Sequence, residues 1–256
     1  MDDKSIERQY GLWDSLITPA YLSQGIRISD LKWDQSGDLV WLESRADRSV
    51  CVIQPQDGQA ARDLNSTFSV RAKVGYGGAD FTVGKGDVYF VEADSGRIYR
   101  QPIQPGAPQV LTPGFGAAAA PALSPDGKWL LWIRSYEEQD SLEIVDVAGK
   151  NWPQKLVSGN DFYMQPAWHP DSNQAAWISW DHPDMPWDAT KLCLGKLEIP
   201  ATGLPILAQQ ESIAGGENIA VFQPEFSPDG KYLAYASDES GWRSEERRVG
   251  KECRSR

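Results

Sequence analysis

The chain has 256 residues, 41% of them hydrophobic, which is enough to bury the core of one large or two small domains. Its formal net charge of −11 argues against partners such as nucleic acid or an anionic membrane. No window holds the roughly 18 unbroken apolar residues of a membrane span, and Met1–Arg8 lacks the apolar region of a secretory signal. We therefore expect a soluble, cytoplasmic protein.

The first repeat units follow an N-terminal segment, residues 1–25. Short apolar runs alternate with turn-forming residues, which is the pattern of β-hairpins. The predicted elements of the first two units are, in order, a strand at Leu31–Trp33, a turn at Gln35–Gly37, strands at Leu39–Glu43 and Val50–Gln54, a turn at Gln56–Gly58, a turn at Gly84–Gly86 and a strand at Val88–Glu92.

The third unit contains the clearest turn, Ser-Pro-Asp-Gly-Lys at Ser124–Lys128. The same turn recurs at Ser227–Lys231, and a degenerate copy, His-Pro-Asp-Ser-Asn, lies at His169–Asn173. Pro presets φ at the first corner, Asp bonds to nearby backbone and Gly takes the left-handed position. Four strands are predicted around the first copy, at Ala120–Ser124, Lys128–Ser135, Ser141–Val147 and Gln154–Val157.

The spacing of these hairpins indicates an all-β fold, a β-propeller of four-stranded antiparallel blades. The apolar residues before successive turns are separated by 48, 42, 45 and 58 residues, close to one propeller blade each; they are Trp33, Phe81, Leu123, Trp168 and Phe226. Residues 26–242 are thus predicted to form an incomplete propeller, an open arc of about four and a half blades whose fifth blade stops after its second strand. Its end faces are predicted to expose Val40, Trp41, Leu42, Tyr232, Leu233 and Tyr235.

The long fourth step is explained by an inserted loop between Trp180 and Thr190, which contains two prolines and no strand pattern. Loops on a propeller rim are where functional contacts usually lie. The candidates for contact with a substrate or another domain are Trp180, Asp181, His182, Met185, Trp187 and Asp188. The alternative is that the large apolar residues of this loop anchor it on its own blade.

The remaining polar candidates favour structural roles. His182 is interpreted as a hydrogen-bonding loop residue, and His169 occupies the Ser position of a turn. The repeated turn aspartates serve the turn rather than calcium, and Cys51 and Cys193 lack the spacing of a zinc site or disulfide framework. We expect neither a catalytic residue, a metal nor a cofactor.

The last fourteen residues, Arg243–Arg256, follow neither the strand nor the turn pattern. They resemble an in-frame translation of a sequencing-adapter oligonucleotide, so we interpret 243–256 as a non-native tail. The tail carries six basic and three acidic residues, and without it the net charge changes from −11 to −14.

Three sequence motifs resemble those of the prolyl oligopeptidase family of serine peptidases, in its acylaminoacyl-peptidase and dipeptidyl-aminopeptidase-like branch. They are YGLWDSLITP at Tyr10–Pro19, WDHPDMPWD at Trp180–Asp188 and SDESGW at Ser237–Trp242. The Ser-Pro-Asp-Gly turns are less specific, because TolB-like propellers share them. Together the matches cover most of Tyr10–Trp242.

The resemblance implies a propeller that precedes a C-terminal α/β-hydrolase domain, whose Ser, Asp and His cleave peptides through an acyl-enzyme. None of those catalytic positions has a counterpart in this chain. The partners implied are a peptide substrate and the chain's own hydrolase domain, for which the propeller would act as a gate. The alternative is a TolB-like propeller that binds a protein partner without catalysis, and a homo-oligomer is possible in either case.

Overall fold

The computed structural model describes residues 25–64, 67–76 and 78–241, and the backbone of 245–249. The N-terminal segment 1–25, including Tyr10–Pro19, lies almost wholly outside them, so its predictions are not addressed by the structure. The described residues form strands and turns, and contain no helix. Among these residues there is accordingly no helix suited to spanning a membrane.

The strands form five antiparallel sheets in chain order. The first sheet contains β1 (Arg27–Trp33), β2 (Leu39–Ser44), β3 (Ser49–Gln54) and β4 (Arg62–Asp63); the second β5 (Phe81–Gly84), β6 (Asp87–Val91), β7 (Ile98–Pro102) and β8 (Gln109–Val110). The third contains β9 (Ala117–Leu123), β10 (Trp129–Tyr136), β11 (Gln139–Asp146) and β12 (Gln154–Val157); the fourth β13 (Phe162–Trp168), β14 (Gln174–Trp180), β15 (Lys191–Glu198) and β16 (Ile206–Gly215). The fifth contains β17 (Val221–Phe226), β18 (Leu233–Ser237) and β19 (Glu245–Val249).

This arrangement confirms the predicted all-β class and the incomplete propeller. Within each sheet the strands pair in sequence order, as a meander. The first predicted turn of each unit connects the first two strands of its blade, the turn at Gln56–Gly58 lies between β3 and β4, and the inserted loop connects β14 to β15, as expected. The fourth blade is also lengthened by its last strand, β16, which has ten residues.

The prediction that the fifth blade stops after its second strand was wrong. Glu245–Val249 pairs antiparallel with β18, from Ser237 opposite Glu245 to Leu233 opposite Val249. The physical reason is that the outer edge of β18 offers unpaired N–H and C=O groups, and backbone pairing does not require alternating apolar residues. The non-native origin of 243–256 stays a prediction.

Between each pair of consecutive sheets lies a hydrophobic cluster, so the blades are held together face to face. The largest cluster, between the third and fourth blades, contains the fully buried Trp177. Because every blade has an apolar residue on both faces of its middle strands, neither face can be left in water without cost.

The end faces match the sequence prediction only in part: Tyr232 is exposed, as predicted, whereas four of the other residues are buried. Val40 and Leu42 are buried against the second blade, and Leu233 and Tyr235 are buried against the fourth. These side chains therefore point into the arc, because alternate residues of a strand face opposite sides. The exposed apolar side chains at the first blade lie instead on and beside β1; they are Ile26, Ile28, Leu31 and Trp33.

Hydrogen bonds join neighbouring blades at the turns that follow the first strand of a blade, which we call its inner strand. The N–H of Gly86 donates to Asp34 Oδ1 at 3.2 Å, which links the first two blades. The N–H of Asp126 donates to Ser172 Oγ at 3.1 Å, which links the third and fourth. His169 Nε2 lies 3.0 Å from the carbonyl oxygen of Gly230 in the fifth. The structural interpretation of His169 therefore agrees with its contacts.

A left-handed residue lies at the same place in, or just before, the first strand of each blade, three positions before the apolar residue that precedes the predicted turn. These residues are Asp30, Gly78, Ala120, Gln165 and Gln223, with φ from +47° to +89°. In the first, third, fourth and fifth blades the strand pairing shifts at this point, which marks a β-bulge. Of these five residues only Gly78 is a glycine, the residue type that readily adopts a positive φ.

Candidate functional site

The inserted loop rests on a cluster of aromatic rings. Trp180, at the end of β14, is buried and stacks on Phe162 of β13, with 5.0 Å between ring centroids and 19° between planes. Tyr76 meets both rings edge-on, at 5.9 Å from Phe162 and 5.6 Å from Trp180. Offset and edge-to-face pairs of this kind stabilise by about 0.5–1.5 kcal/mol each beyond their buried area. The loop therefore leaves its blade from a rigid base.

Tyr76 belongs to the segment that connects the first and second blades, and it was not among the residues predicted for the site. The segment crosses the third blade, where the N–H of Lys73 donates to Ala118 O at 3.3 Å and the N–H of Ala120 donates to Ala79 O at 2.8 Å. The Tyr76 hydroxyl then lies 3.7 Å from Met185 Sδ in the inserted loop. In the sequence, only the glycines on either side of Tyr76 indicated that this connecting segment leaves its own blades.

Two aspartates fasten the start of the loop. Asp181 accepts hydrogen bonds from Asn160 Nδ2 at 2.8 Å and from the N–H of Asp161 at 2.9 Å. Asp161 in turn accepts one from the N–H of His182 at 2.9 Å, and its Oδ2 lies 3.0 Å from His182 Nδ1. The backbone N–H and then the side chain of His182 hold the pKa of Asp161 below its ordinary value.

His182 is thereby held in place as part of the loop base. Its ring centroid is 4.7 Å from that of Phe162, and the peptide bond to Pro183 is cis. The imidazole is solvent-exposed. These contacts match the hydrogen-bonding role that the sequence indicated.

The middle of the loop is closed by a local turn. The N–H groups of Asp188 and Ala189 donate to Met185 O at 2.9 and 3.3 Å, and Asp188 Oδ2 accepts from the N–H of Met185 at 3.2 Å. Pro186 is buried beneath this turn, while Met185 and Trp187 on either side are exposed. The loop thus presents two large apolar side chains to solvent.

The six candidates are therefore brought together but differ in environment. Trp180, Asp181, His182 and Asp188 make contacts that shape the loop, and their contact with a substrate or another domain stays a prediction. Met185 and Trp187 are 42% and 51% exposed, and their contact with a substrate or another domain likewise stays a prediction. A cavity of about 220 Å³ lies beside the loop base, and Asp181, Asp184, Glu217 and Lys191 give its wall more negative than positive groups.

Cys51 and Cys193, the cysteines that the structure describes, are buried and free. Burial raises the pKa of both thiols, that of Cys51 strongly, which keeps them protonated and unreactive. Across 25–64, 67–76 and 78–241, no group of three His, Cys, Asp or Glu side chains is placed to hold a metal ion.

The fold and the loop define an incomplete antiparallel β-propeller with a structured insertion on its fourth blade. No family model and no curated protein matches the chain. Solved structures do. A puromycin hydrolase is 27% identical, with a TM-score of 0.80, over 95% of this chain and 40% of its own. A puromycin-hydrolyzing peptidase of Mycobacterium tuberculosis is 24% identical, with a TM-score of 0.77, over 94% and 40%.

These comparisons confirm the resemblance drawn from the sequence: the chain is similar to the propeller of peptidases in the prolyl oligopeptidase family. It spans about 40% of the length of those relatives. A putative TolB from Agrobacterium tumefaciens shares the fold at 19% identity and a TM-score of 0.54, over 79% of this chain.

Proposed function

We propose that this chain is the gating propeller of a serine peptidase that acts on oligopeptides. Hydrolysis would take place in a C-terminal α/β-hydrolase domain outside the chain. The observation that carries the proposal is the 27% identity to puromycin hydrolase along 95% of the chain, combined with coverage of only 40% of that protein. The remaining length of such a relative leaves room for a catalytic domain. A cytoplasmic location also stays a prediction.

The inserted loop supports a contact role within this proposal. Its base is fixed by the Phe162–Trp180 stack and the Asp161–His182 hydrogen bonds. Its exposed Met185 and Trp187 would meet either the hydrolase domain or the peptide. A rigid base reduces the entropy lost when such side chains are buried by a partner.

The gating role is tested by binding in trans. We expect the purified chain to bind the separately produced hydrolase domain of puromycin hydrolase, and the double variant Met185→Ala, Trp187→Ala to bind at least fivefold more weakly, since exposed apolar anchors dominate many interfaces. Ile206→Ala, which truncates an equally exposed side chain on β16, is the matched control. Equal binding by all three proteins would remove the loop from the interface.

The catalytic assignment is tested separately. The chain alone should not hydrolyse aminoacyl-p-nitroanilides, because the sequence contains no nucleophile elbow. The gene downstream of Trp242 should encode a Gly-x-Ser-x-Gly elbow. A stop codon after a completed propeller would instead favour the TolB-like scaffold, and co-purifying activity that a fluorophosphonate blocks would contradict the absence of catalysis here.

A further inference from the structure

A second cavity, of about 210 Å³, lies between the second and third blades, away from the inserted loop. Its wall combines aromatic rings with charged groups, namely Phe115, Trp132, Arg134, Glu143, Trp152 and Lys155. Trp152 is 70% exposed, unlike the buried Trp132 behind it. An exposed tryptophan over a charged recess is typical of a binding site rather than of a core.

Arg134 is held in one position inside this cavity. Its Nε lies 2.9 Å from Oε1 of Glu143, which is buried and also accepts a hydrogen bond from Ser141 Oγ at 3.1 Å. Its Cζ lies 5.3 Å from the ring centroid of Phe115 and 5.6 Å from that of Tyr136. An ion pair on one edge and aromatic rings beside the guanidinium leave its plane little freedom.

The guanidinium keeps donors to spare. Among the residues that the structure describes, the polar contact of the Arg134 guanidinium is the ion pair of Nε with Glu143, which is not aligned as a hydrogen bond. Lys155, on the neighbouring strand β12, opposes Glu143 in the sheet and adds a second cation to the wall. The cavity therefore carries two positive groups against one buried carboxylate, on a protein whose net charge is −11.

Gly116 forms part of the cavity wall, and the backbone of β10 approaches it closely. Gly116 has φ of +79°, and a Cβ there would lie 2.7 Å from Ser135 O and 3.3 Å from Arg134 Cγ. A larger residue would clash first with Ser135 O, so glycine is required at this point of the cavity wall.

We propose that this cavity binds a carboxylate carried next to an apolar or aromatic group. A planar guanidinium with two terminal nitrogens pairs with a carboxylate through two parallel hydrogen bonds, and the aromatic walls bury the adjoining apolar group. The C-terminus of a peptide and an acidic side chain within one both provide this chemistry. The cavity lies where β10 ends and β9 begins. The inserted loop follows the end of β14, the corresponding strand of the fourth blade, so both lie on the same rim of the propeller.

The test is a ligand-observed NMR titration of the unaltered chain with three probes. N-acetyl-phenylalanine carries a C-terminal carboxylate, N-acetyl-glutamyl-phenylalaninamide carries a side-chain carboxylate, and N-acetyl-phenylalaninamide carries none. We expect at least one of the carboxylates to bind tenfold or more tightly than the amide, and the tighter of the two identifies the source. No binding, or equal binding of all three probes, would overturn the proposal.

Variants locate the site. The double variant Arg134→Gln, Glu143→Gln removes both charges together, so that neither is left buried and unpaired, and it should bind the preferred carboxylate at least tenfold more weakly. Arg45→Gln is the matched control, because Arg45 also pairs with carboxylates, those of Glu43 and Asp63, on the first blade. Unchanged binding by the double variant would place the site elsewhere. If the double variant does not fold, Trp152→Ala at the exposed wall should still weaken binding, and wild-type affinity in that variant would contradict the proposal.

Discussion

The side-chain oxygen Oε1 of Gln165 accepts a hydrogen bond of 2.6 Å from the backbone N–H of Gln223 in the next blade. Both residues occupy the left-handed bulge position of their inner strands. Ala120 occupies the same position one blade earlier, and its N–H donates to Ala79 O, just before the first strand of the second blade. The bulge turns a backbone N–H away from its own sheet, and that N–H joins two blades.

The bulge position of the third blade predicts that glycine is the better residue there. Ala120 has φ of +51°, a conformation that costs an L-residue about 1 kcal/mol. Ala120→Gly should therefore raise the free energy of unfolding by about 0.5–1 kcal/mol, less what is lost with its small buried methyl group. Chemical denaturation measures this.

The neighbouring residue provides the control for that substitution. Ala119 is buried in the same strand without a positive φ. Ala119→Gly should lower the free energy of unfolding by about 0.5–1 kcal/mol. Two losses of similar size would mean that the bulge is not strained.

The linked turns lead to a second prediction. Ser172 is buried, and its hydroxyl accepts the N–H of Asp126 from the preceding blade. Ser172→Ala leaves that donor without its partner and should cost about 1–3 kcal/mol. Ser36→Ala, in the exposed turn of the first blade, removes hydroxyl contacts only to Asp34 and Asp38 of the same turn and should cost less than about 1 kcal/mol. Equal melting temperatures for the two variants would show that the link between turns contributes nothing.

The loop base predicts a pH dependence. The pKa of Asp161 is depressed below its ordinary 3.8 by the N–H and the side chain of His182. A depressed carboxyl pKa contributes stability that is present above the ordinary value and is lost as the pH falls through the folded one. Asp161→Asn should therefore lower the melting temperature at neutral pH, and its difference from the unaltered chain should shrink below pH 3.8.

The comparison variant for this prediction is Asp184→Asn, in the same loop. Asp184 is exposed, and among the described residues its carboxylate accepts no hydrogen bond. Its melting temperature should follow that of the unaltered chain at every pH. A constant difference for Asp161→Asn across the acidic range would show that the carboxylate charge does not hold the loop.

The sequence predicted what depends on local chemistry. The turn at Ser124–Lys128 forms because its own side chains satisfy its backbone, as when Trp129 N–H donates to Ser124 Oγ at 2.9 Å. The inserted loop was found because its prolines interrupt a regular repeat. In both cases the cause lies within a few residues of the effect.

The sequence did not predict what depends on distant residues. Tyr76 reaches the loop only because its segment crosses the third blade, and Arg134 meets Phe115 only through the packing of a blade connection. The bulges were missed because Ala120 and Gln165 are not residue types that favour a positive φ. Their conformation follows from the geometry that the packed blades require.

The open end of the arc gives the last prediction. Ile28 and Trp33 of β1 are 62% and 65% exposed, on the side away from the second blade's core. Apolar surface of this kind on a sheet promotes association, and we expect the chain to self-associate as its concentration rises, in spite of its net charge of −11. The double variant Ile28→Lys, Trp33→Lys should shift sedimentation velocity profiles toward the monomer, whereas Ile206→Lys on β16, a strand of the fourth blade, should not. A monomer at every concentration, or an equal effect from the β16 variant, would show that the exposed face of the first blade does not drive association.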